Sequence, residues 1–565
     1  MVAFGTVVRM NTRFVVVTGG VCSSLGKGIL AASLARLLID RGNRVRNIKL
    51  DPYLNIDPGT LRPSEHGEVF VTDDGVEADL DLGHYERFTD VDACRVSSAT
   101  AGSIYHTVLT MERGGQMLGS TVQAVPHITD EIIRRLDMAA SAPLADGQGA
   151  DVVIVEIGGT VGDIEIQIFL EAVRQLRSDP SRNICVVHLV LVPEVGPNRE
   201  LKTKPAQHSV SELRRHGVSP DVVVARSHTV LNASLLHKLQ TACGVPCVVA
   251  APDVASIYQV PANLLESGLD VVVAQQLGLA HVGVPNMLWR QAVTKNPGVA
   301  ASGVVRVGLV GKYAKGSDTY LSVEEAVAHA AAFLNVSVEL VLVDAATIDP
   351  LAPHLALSQF AAIIVPGGFG SRGVEGKVAA AAWCRMMDVP YLGLCLGLQV
   401  AVIDACRAAG VVDASSAEWV ESADAACGVP VVVLMDEQGA VTGVGGTMRL
   451  GGMWADLVPG SKTALLYNSV LVKERHRHRF EVDPMFVPQM VESGLVVAGV
   501  DSARGLIEFV ERPAHRFFHA TQAHPEFLTR PDRPHPLFVG LLQAASTTDR
   551  TTGRASGKRY TTRYP

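Results

Sequence analysis

Apolar runs alternate with helical patterns along most of the chain. The segments RFVVVTGG, VRNIKLD, DVVIVEIGGT and NICVVHLVLVP are nearly continuous apolar runs, which is typical of buried strands in a parallel sheet. ILAASLARLLIDRG has helical spacing and ends at Gly42. The pattern loosens near VGVPNMLWRQAVTKNPGVAASG and restarts with VVRVGLVGKY, SVELVLVD, AAIIVPGGFG and VPYLGLCLG. This alternation predicts an α/β protein with two doubly wound parallel-sheet domains.

The chain of 565 residues is too long for a single hydrophobic core. We predict a first domain at 1–280, a linker at 281–300, a second domain at 301–545 and a disordered tail at 546–565.

Composition narrows the class of protein. Charged residues make up 19% and hydrophobic residues 48% of the chain, which favours a globular enzyme over a disordered chain. The formal charge of −8 disfavours a nucleic-acid binder, and no apolar run reaches the roughly 18 residues of a membrane span. The first residues lack the features of a secretory signal, and the nine cysteines are scattered. We therefore expect a cytoplasmic protein with reduced thiols and no membrane or nucleic-acid partner.

A glycine-rich loop with a lysine follows the first apolar run, in the segment FVVVTGGVCSSLGKGI. It resembles the phosphate-binding pattern G-x-x-x-x-G-K-[ST], but it has one extra residue, and Gly28 stands where a hydroxyl would hold magnesium. Backbone N–H groups, the helix start and Lys27 could bind phosphate. A tight turn that needs glycine for packing is the alternative, and Lys27, Ser23 and Ser24 favour a nucleotide.

A metal ion at this loop would need carboxylates from elsewhere. DDGVEADLDLGHYERF is rich in acids, and Glu156 interrupts an apolar strand, where a carboxylate needs a metal or a lysine as partner. A structural ion pair for Glu156 and a solvated face for most of the acidic run are the alternatives. Lys49 ends another strand and is a candidate phosphate contact. In ELKTKPAQHSV, Lys202 and Lys204 suit a second polyphosphate, although from this segment alone a solvated surface loop is the better explanation.

A second candidate site centres on Cys395 in VPYLGLCLGLQVAVI. Gly393 and Gly397 frame it in a nucleophile elbow between a strand and a helix, and we expect the sulfur to be exposed there, with the helix start favouring a thiolate. In HATQAHPEF, we expect His524 and Glu526 to point the same way from a strand, so that the carboxylate orients the base.

Two further segments bear on this second site. The Gly-Gly turn of VPGGFGSRG could form an oxyanion hole together with the N–H of Leu396. KERHRHRFEVDP alternates histidine and arginine, which favours a basic face for an acidic ligand or an exposed strand over a metal site.

Taken together, these segments resemble the CTP synthase family. The resemblance runs from about Phe14 to Leu542 and includes TGGVCSSLGKGI, KLDPYLNIDPGT, EIGGTVGDIE, ELKTKPAQHSV, PGGFGSRGVEGK, GLCLGLQ, GGTMRLG, ERHRHRFEV and HPEF, in that order. It implies a dethiobiotin-synthetase-like amidoligase domain joined to a class I glutamine amidotransferase domain.

The resemblance also implies roles for individual residues. The catalytic triad would be Cys395, His524 and Glu526. ATP would contact Ser24, Leu25, Gly26, Lys27, Gly28, Ile29, Asp81, Asp253 and Val254, with Asp81 and Glu156 binding Mg²⁺. UTP and the inhibitor CTP would contact Ser23, Asp163, Ile164, Glu165, Lys202, Thr203, Lys204, Pro205, Ala206, Gln207 and Lys238. Glutamine would contact Gly368, Leu396, Gly397, Leu398, Gln399, Glu418 and Arg479.

The implied reaction joins the two domains. ATP would phosphorylate the 4-oxygen of UTP, and ammonia from L-glutamine would cross a water-poor passage and displace the phosphate to give CTP. The family implies GTP activation, CTP inhibition and a homotetramer that could form filaments. The sequence departs from the family pattern at Glu65, Ala206 and Ala417, among other positions.

Two rival functions share part of this pattern. A cobyrinic-acid-type amidase has a similar domain pair but does not need the lysines of KTKP for a triphosphate. A partitioning-type ATPase has a similar loop but leaves Cys395, His524 and Glu526 unexplained.

Overall fold

The computed structural model describes residues 12–279, 289, 293, 304–312, 318–419, 428–435 and 448–546. Most of the predicted linker and the predicted tail beyond Ser546 lie outside these residues. The described chain forms two compact units. The first contains 12–58, 81–279 and 289, and the second contains 59–80 and the described residues from 293 onward. The grouping of 59–80 with the second unit is a feature that the sequence did not reveal, and the predicted domain boundaries stay predictions.

The elements up to residue 279 alternate as the apolar pattern predicts. They are β1 (Arg13–Gly19), α1 (Lys27–Asp40), β2 (Val45–Asp51), α2 (Pro63–His66), β3 (Phe70–Val71), β4 (Glu77–Ala78), α3 (Asp81–Thr89), β5 (Ser98–Thr100), α4 (Ala101–Arg113), α5 (Thr129–Ser141), β6 (Val152–Ile157), α6 (Gln167–Ser178), β7 (Asn183–Leu191), β8 (Glu194–Val195), β9 (Glu200–Leu201), α7 (Lys204–Arg215), β10 (Val222–Ser227), α8 (Ala233–Cys243), β11 (Cys247–Pro252), α9 (Val260–Glu266) and α10 (Leu269–Gln276). Of these, α2, β3 and β4 belong to the second unit.

The first unit is built on one parallel sheet with the strand order β11-β10-β7-β1-β6-β2-β5. The central strands are almost wholly buried because helices cover both faces, which is why they read as continuous apolar runs. The carboxyl ends of β1, β2 and β6 lie side by side, since Val17 and Lys49 are both register partners of Glu156. The loop after β1 therefore opens beside the acid in β6.

The second unit adds a larger sheet. Its elements are β12 (Val304–Gly311), α11 (Leu321–Leu334), β13 (Ser337–Asp344), α12 (His354–Leu357), β14 (Ala362–Val365), α13 (Val374–Met387), β15 (Tyr391–Leu394), α14 (Leu396–Ala408), β16 (Ala414–Ser416), β17 (Val429–Leu434), β18 (Arg449–Leu457), α15 (Lys462–Tyr467), β19 (Leu471–His478), β20 (Phe480–Val482), α16 (Val487–Glu492), β21 (Val496–Asp501), β22 (Leu506–Glu511), β23 (Phe518–Thr521) and α17 (Pro536–Ser546).

The second sheet has the order β13-β12-β14-β15-β23-β22-β21-β18-β19. Its first five strands are parallel, and the four predicted strands of this unit are among them. The predicted α/β fold class is thus confirmed in both units. The antiparallel extension from β23 to β19 was not predicted, because its strands mix charged and apolar residues. Among the described residues, no helix has both the length and the apolar character needed to cross a membrane.

Candidate active sites

The glycine-rich loop lies between β1 and α1, where Lys27 is the first helical residue. Gly26 takes a left-handed conformation with φ 96°, and Ser23 and Ser24 are exposed on the loop. The Lys27 ammonium donates to the Gly159 carbonyl at 2.7 Å, which draws the lysine toward the end of β6. Burial lowers the pKa of Lys27, although Glu156 opposes that shift. The loop thus presents a helix N-terminus and a cation on one side of the sheet.

Asp81 and Glu156 come together beside this loop. Asp81 begins α3 and accepts a hydrogen bond from Lys49, whose Nζ also lies 3.5 Å from a Glu156 carboxylate oxygen. A Cβ atom on Gly28 would lie 2.6 Å from the Asp81 carboxyl carbon. Gly28, which lacks the expected hydroxyl, is therefore the residue that lets a carboxylate approach the loop.

The electrostatics of this pair suit a bound cation. Burial and then the neighbouring Asp81 raise the pKa of Glu156 to about 7, while Lys49 and Lys27 oppose the shift. Tyr85 donates a hydrogen bond to the other Glu156 oxygen. No group of three or more metal-binding side chains occurs among the described residues. Two carboxylates fit Mg²⁺, which commonly takes one or two of them and completes its shell with water and phosphate oxygens.

Two elements that carry residues predicted for UTP and CTP lie near the same loop. Lys204 begins α7, and Ser209 of that helix is bridged to Thr18 of β1 by His188, with both hydrogen bonds at 2.8 Å. Asp163 precedes a 3-10 turn over Ile164–Ile166, which contains Glu165, and a short bridge joins Gly20 to Val161. The structure thus brings α7 and this turn to the glycine loop.

Other members of the predicted nucleotide set are placed less directly. The Ala206 side chain is fully buried in an apolar cluster, so only its backbone can contact a ligand. Lys202 pairs with Glu200 at 2.7 Å, and both Lys202 and, from α8, Lys238 lower the pKa of Glu200. No described contact joins these lysines to Ser23. Their assignment stays a prediction.

Asp253 and Val254 follow β11. Arg226 of β10 donates to the Asp253 carboxylate at 3.1 Å and to the Leu25 carbonyl at 2.9 Å. Arg226 therefore ties the predicted adenine-contact residue to the glycine loop. Sequence reasoning missed Arg226, which lies in an otherwise apolar strand.

In the second unit, Cys395 occupies a strained turn between β15 and α14, with φ 52° and ψ −102°. Positive φ is rare for a residue with a side chain, and nucleophile elbows use it to present the reactive atom. A Cβ on Gly393 would lie 2.6 Å from the Gly397 backbone, which explains the glycine frame. The expectation of an exposed sulfur is wrong, because Cys395 is only 4% exposed. It lines a pocket with His524, Glu526, Gly367, Phe369 and Arg477.

His524 and Glu526 form the predicted pair, with Nδ1 and a carboxylate oxygen 2.7 Å apart. Burial alone would lower the pKa of His524, but the charge of the Glu526 carboxylate and then the neighbouring Cys395 raise it to about 10. The predicted strand geometry is wrong. β23 ends at Thr521, and Pro525 starts a 3-10 turn over Pro525–Leu528, so a turn joins the two side chains.

The residues predicted for glutamine surround Cys395 in part. Leu396, Gly397, Leu398 and Gln399 begin α14, and Gln399 donates to the Phe480 carbonyl at 3.1 Å. Glu418 accepts a hydrogen bond from the Gly370 backbone at 2.8 Å, two residues beyond Gly368. Arg479 follows β19 and is not among the described residues that line the pocket of Cys395. The residue roles stay predictions.

The sequence matches two protein-family models. A model described as the CTP synthase N-terminus matches residues 13–279, and one described as class I glutamine amidotransferase matches 317–544. A CTP synthase from Prochlorococcus marinus (strain MIT 9303) is 50% identical over 539 residues, covering 94% of this chain and 94% of that protein. The chain belongs to the CTP synthase family.

A second CTP synthase, from Synechococcus sp. (strain RCC307), is 50% identical over 540 residues, covering 94% of this chain and 97% of that protein. The solved structure of the Trypanosoma brucei CTPS glutaminase domain with bound acivicin is 37% identical in sequence. The match covers 45% of this chain and 99% of the solved chain, with a TM-score of 0.40. Membership of the CTP synthase family confirms the resemblance and the predicted class of glutamine-hydrolysing ligase. It removes both rival functions.

The basic segment of this CTP synthase family member differs from its predicted role. His476, His478 and Arg475 of β19 are buried, so the segment is not an exposed strand. Glu508 lies 3.6 Å from His476, and Glu481 lies 3.5 Å from His478. Glu481 lies three residues after His478 in the same segment, whereas Glu508 comes from β22, so the local pattern could not reveal Glu508.

Sequence reasoning also missed several residues around Cys395. Arg477 stacks over Phe369 at 5.0 Å, its carbonyl lies 3.8 Å from the Cys395 sulfur, and Gln522 donates to that sulfur at 3.7 Å. Lys312, at the end of β12, contacts the loop of Phe369. A polar residue directly after a buried strand was the only signal for Lys312.

Proposed function

We propose that this protein catalyses the ATP-dependent amination of UTP to CTP, with ammonia released from L-glutamine. The observation that carries the proposal is one pocket lined by Cys395, His524 and Glu526, in which His524 Nδ1 lies 2.7 Å from a Glu526 carboxylate oxygen, together with the loop of Lys27 beside Asp81 and Glu156 in the other unit. Family membership at 50% identity over nearly the whole chain supports the same reaction.

Glutamine hydrolysis follows from the second site. The Cys395 thiolate attacks the carboxamide carbon, and the oxygen develops negative charge that the N–H groups of Gly368 and Leu396 can stabilise. His524, held by Glu526, gives its proton to the leaving nitrogen, so that ammonia departs and a glutamyl thioester remains. His524 then takes a proton from the water that hydrolyses the thioester.

Amination follows from the first site. Lys27 and the N–H groups of the loop hold the ATP phosphates, and Lys49 contacts phosphate near Asp81. Asp81 and Glu156 would hold Mg²⁺, which screens the charge of the transferring phosphoryl group when bound. Transfer to the 4-oxygen of UTP makes a leaving group, and ammonia displaces phosphate to give CTP.

The finer features of the family belong to the same proposal. We propose GTP activation, CTP inhibition, and a homotetramer able to form filaments, on family membership. A cytoplasmic location is proposed from the cysteines, since the eight that the structure describes are free thiols.

The decisive experiment incubates the protein with UTP, ATP, glutamine and Mg²⁺ and follows CTP by chromatography. Parallel reactions replace glutamine with ammonium or omit ATP. We expect CTP from either nitrogen source and none without ATP. Glutaminase activity that aminates a different acceptor, with no CTP formed, would contradict the proposal.

A further inference from the structure

Lys312 is a buried cation beside the pocket of the second unit. It follows β12 and is 2% exposed. Its ammonium donates to the Phe369 carbonyl at 3.0 Å and also to the Gly370 carbonyl. Both acceptors lie in the turn that follows β14, two and three residues beyond Gly367, which lines the pocket with Cys395.

The buried surroundings of Lys312 disfavour a positive charge on its ammonium. Among the described residues no carboxylate lies within ion-pair distance of its ammonium, so two backbone carbonyls replace water around it. Burial lowers the pKa of Lys312 to about 8, while the more distant Glu418 opposes that shift. Buried charges without an ionic partner destabilise a fold, and a site that keeps one commonly has a functional reason.

The contacts fix one peptide plane from both sides. In a trans peptide, the C=O of Phe369 and the N–H of Gly370 point in opposite directions. Lys312 holds the C=O, and Glu418 accepts from the N–H at 2.8 Å. The orientation of the Glu418 carboxylate is therefore linked to Lys312 through a single rigid group.

The stem of Lys312 also supports Gly368. The Lys312 Cδ atom lies 3.3 Å from the position that a Cβ on Gly368 would take. Arg372 donates to the Lys312 carbonyl, and the Lys312 backbone N–H donates to Tyr320 at 2.8 Å. These bonds fix the main chain of the lysine, so its stem forms a rigid floor under the turn.

We propose that Lys312 is a positioning residue for glutamine hydrolysis, which holds the Gly368–Gly370 turn so that the Gly368 N–H faces the reacting carbonyl and Glu418 faces the glutamine. The inference rests on the proposed function of the second site. Lys312 does not touch the substrate and acts through the turn and through Glu418.

The test compares Lys312→Met with the wild type in two assays, glutamate release from glutamine and CTP formation from ammonium. We expect kcat/KM for glutamine to fall by about 100-fold, because a shift of about 1 Å in catalytic groups has that effect. Both a higher KM and a lower kcat are expected. Synthesis from ammonium should stay within about twofold of the wild type, since the first site is untouched.

A double-mutant cycle with Glu418→Gln separates positioning from a general loss of structure. Because Lys312 acts on KM through Glu418, the double variant should have the KM of Glu418→Gln alone, while kcat should fall further. Lys462→Met is the matched control. Lys462 also donates to a backbone carbonyl of the second unit, that of His515 at 2.8 Å, but it does not line the pocket.

Three results would overturn the inference. The first is a kcat/KM for glutamine in Lys312→Met within about threefold of the wild type, and the second is a loss of ammonium-driven CTP synthesis as large as the loss of glutamate release. The third is that the effects of Lys312→Met and Glu418→Gln on KM for glutamine add up in the double variant. If Lys312→Met does not fold, Lys312→Gln, whose side chain is too short to reach both carbonyls, is measured against the same criteria. Failure of the wild type to release glutamate would instead contradict the proposed function.

Discussion

The two candidate sites each contain a buried ionisable group with a raised pKa. The raised pKa disfavours the charged form of the group at the first site and favours it at the second. At the first site, burial and Asp81 raise the pKa of Glu156 to about 7, so the surroundings disfavour its charge. At the second site, Glu526 and Cys395 raise the pKa of His524 to about 10, so the surroundings favour its charge. The first site gathers like charges, whereas the second pairs opposite ones.

This difference indicates how much of each site the chain supplies. In the second unit, the nucleophile, base and orienting carboxylate already line one pocket, and the base and carboxylate are hydrogen-bonded, as pre-organised catalysis requires. In the first unit, two carboxylates share one lysine, Lys49, which phosphate would also attract. We infer that ligands complete the first site, and that glutamine hydrolysis depends less on added nucleotides and cations than amination does.

Cys395→Ala should have the largest effect and separate the two sites most sharply. Glutamine-driven CTP formation should fall by roughly 10⁴-fold or more, because no other group can form the thioester. Ammonium-driven CTP formation should be unchanged. Cys406→Ala is the control, since that cysteine is buried in α14, the helix that follows Cys395. Loss of both activities in folded Cys395→Ala would show that the residue is misassigned.

Gly28→Ser should break the first site and spare the second. Its Cβ would meet the Asp81 carboxylate, so ammonium-driven synthesis should fall by about 100-fold or more, while glutamate release continues. Gly28→Ala is the matched variant because it adds the same Cβ without a hydroxyl. Equal losses are expected. A normal rate for the serine variant alone would mean that a loop hydroxyl, and not Asp81, suits the metal.

Glu526→Gln should remove the carboxylate that pairs with His524 in the second site. Glutaminase activity should fall by roughly 10- to 100-fold, and its alkaline limit should move below that of the wild type, because the pKa of His524 loses its main support. A pH profile of glutamate release checks this. An unchanged alkaline limit would show that Glu526 does not set the charge of His524.

Glu526→Gln should also change how the free energy of unfolding depends on pH. The folded pKa of His524, about 10, lies above the roughly 6.5 of an unfolded histidine, so protonation stabilises the fold. That contribution is complete below about pH 6.5 and is lost as pH rises to about 10. Denaturant unfolding should therefore show a larger stability difference between wild type and Glu526→Gln at pH 6 than at pH 10. A difference that grows with pH would contradict the assignment.

Lys204→Met should have the smallest effect on activity. It tests whether a cation of α7 contributes to binding of UTP at the first site. We expect KM for UTP to rise by about tenfold with little change in kcat, because one cation is removed from a phosphate contact. Arg215→Met, at the far end of α7 and largely exposed, is the control. An unchanged KM for UTP would indicate that Lys204 is a solvated residue that does not contact UTP.

The sequence by itself determined the parallel strands, the glycine loop with Lys27 and the elbow at Cys395. Each depends on a short-range pattern: continuous apolar runs that must be buried on two faces, or glycines at positions where a side chain would collide. Resemblance to one family ordered these pieces along the chain, and the comparisons confirmed that family.

Only the tertiary structure decided which distant groups meet. Gly28 faces Asp81, Arg226 joins Asp253 to the loop, and Lys312 reaches the turn of Phe369, because folding brings the ends of different elements together. It also buried the histidines of β19 against acids from other strands. Spacing along a chain fixes the face on which a side chain lies. For these groups the partner comes from elsewhere in the sequence, and no local pattern encodes it, unlike Glu526, which lies two residues from His524.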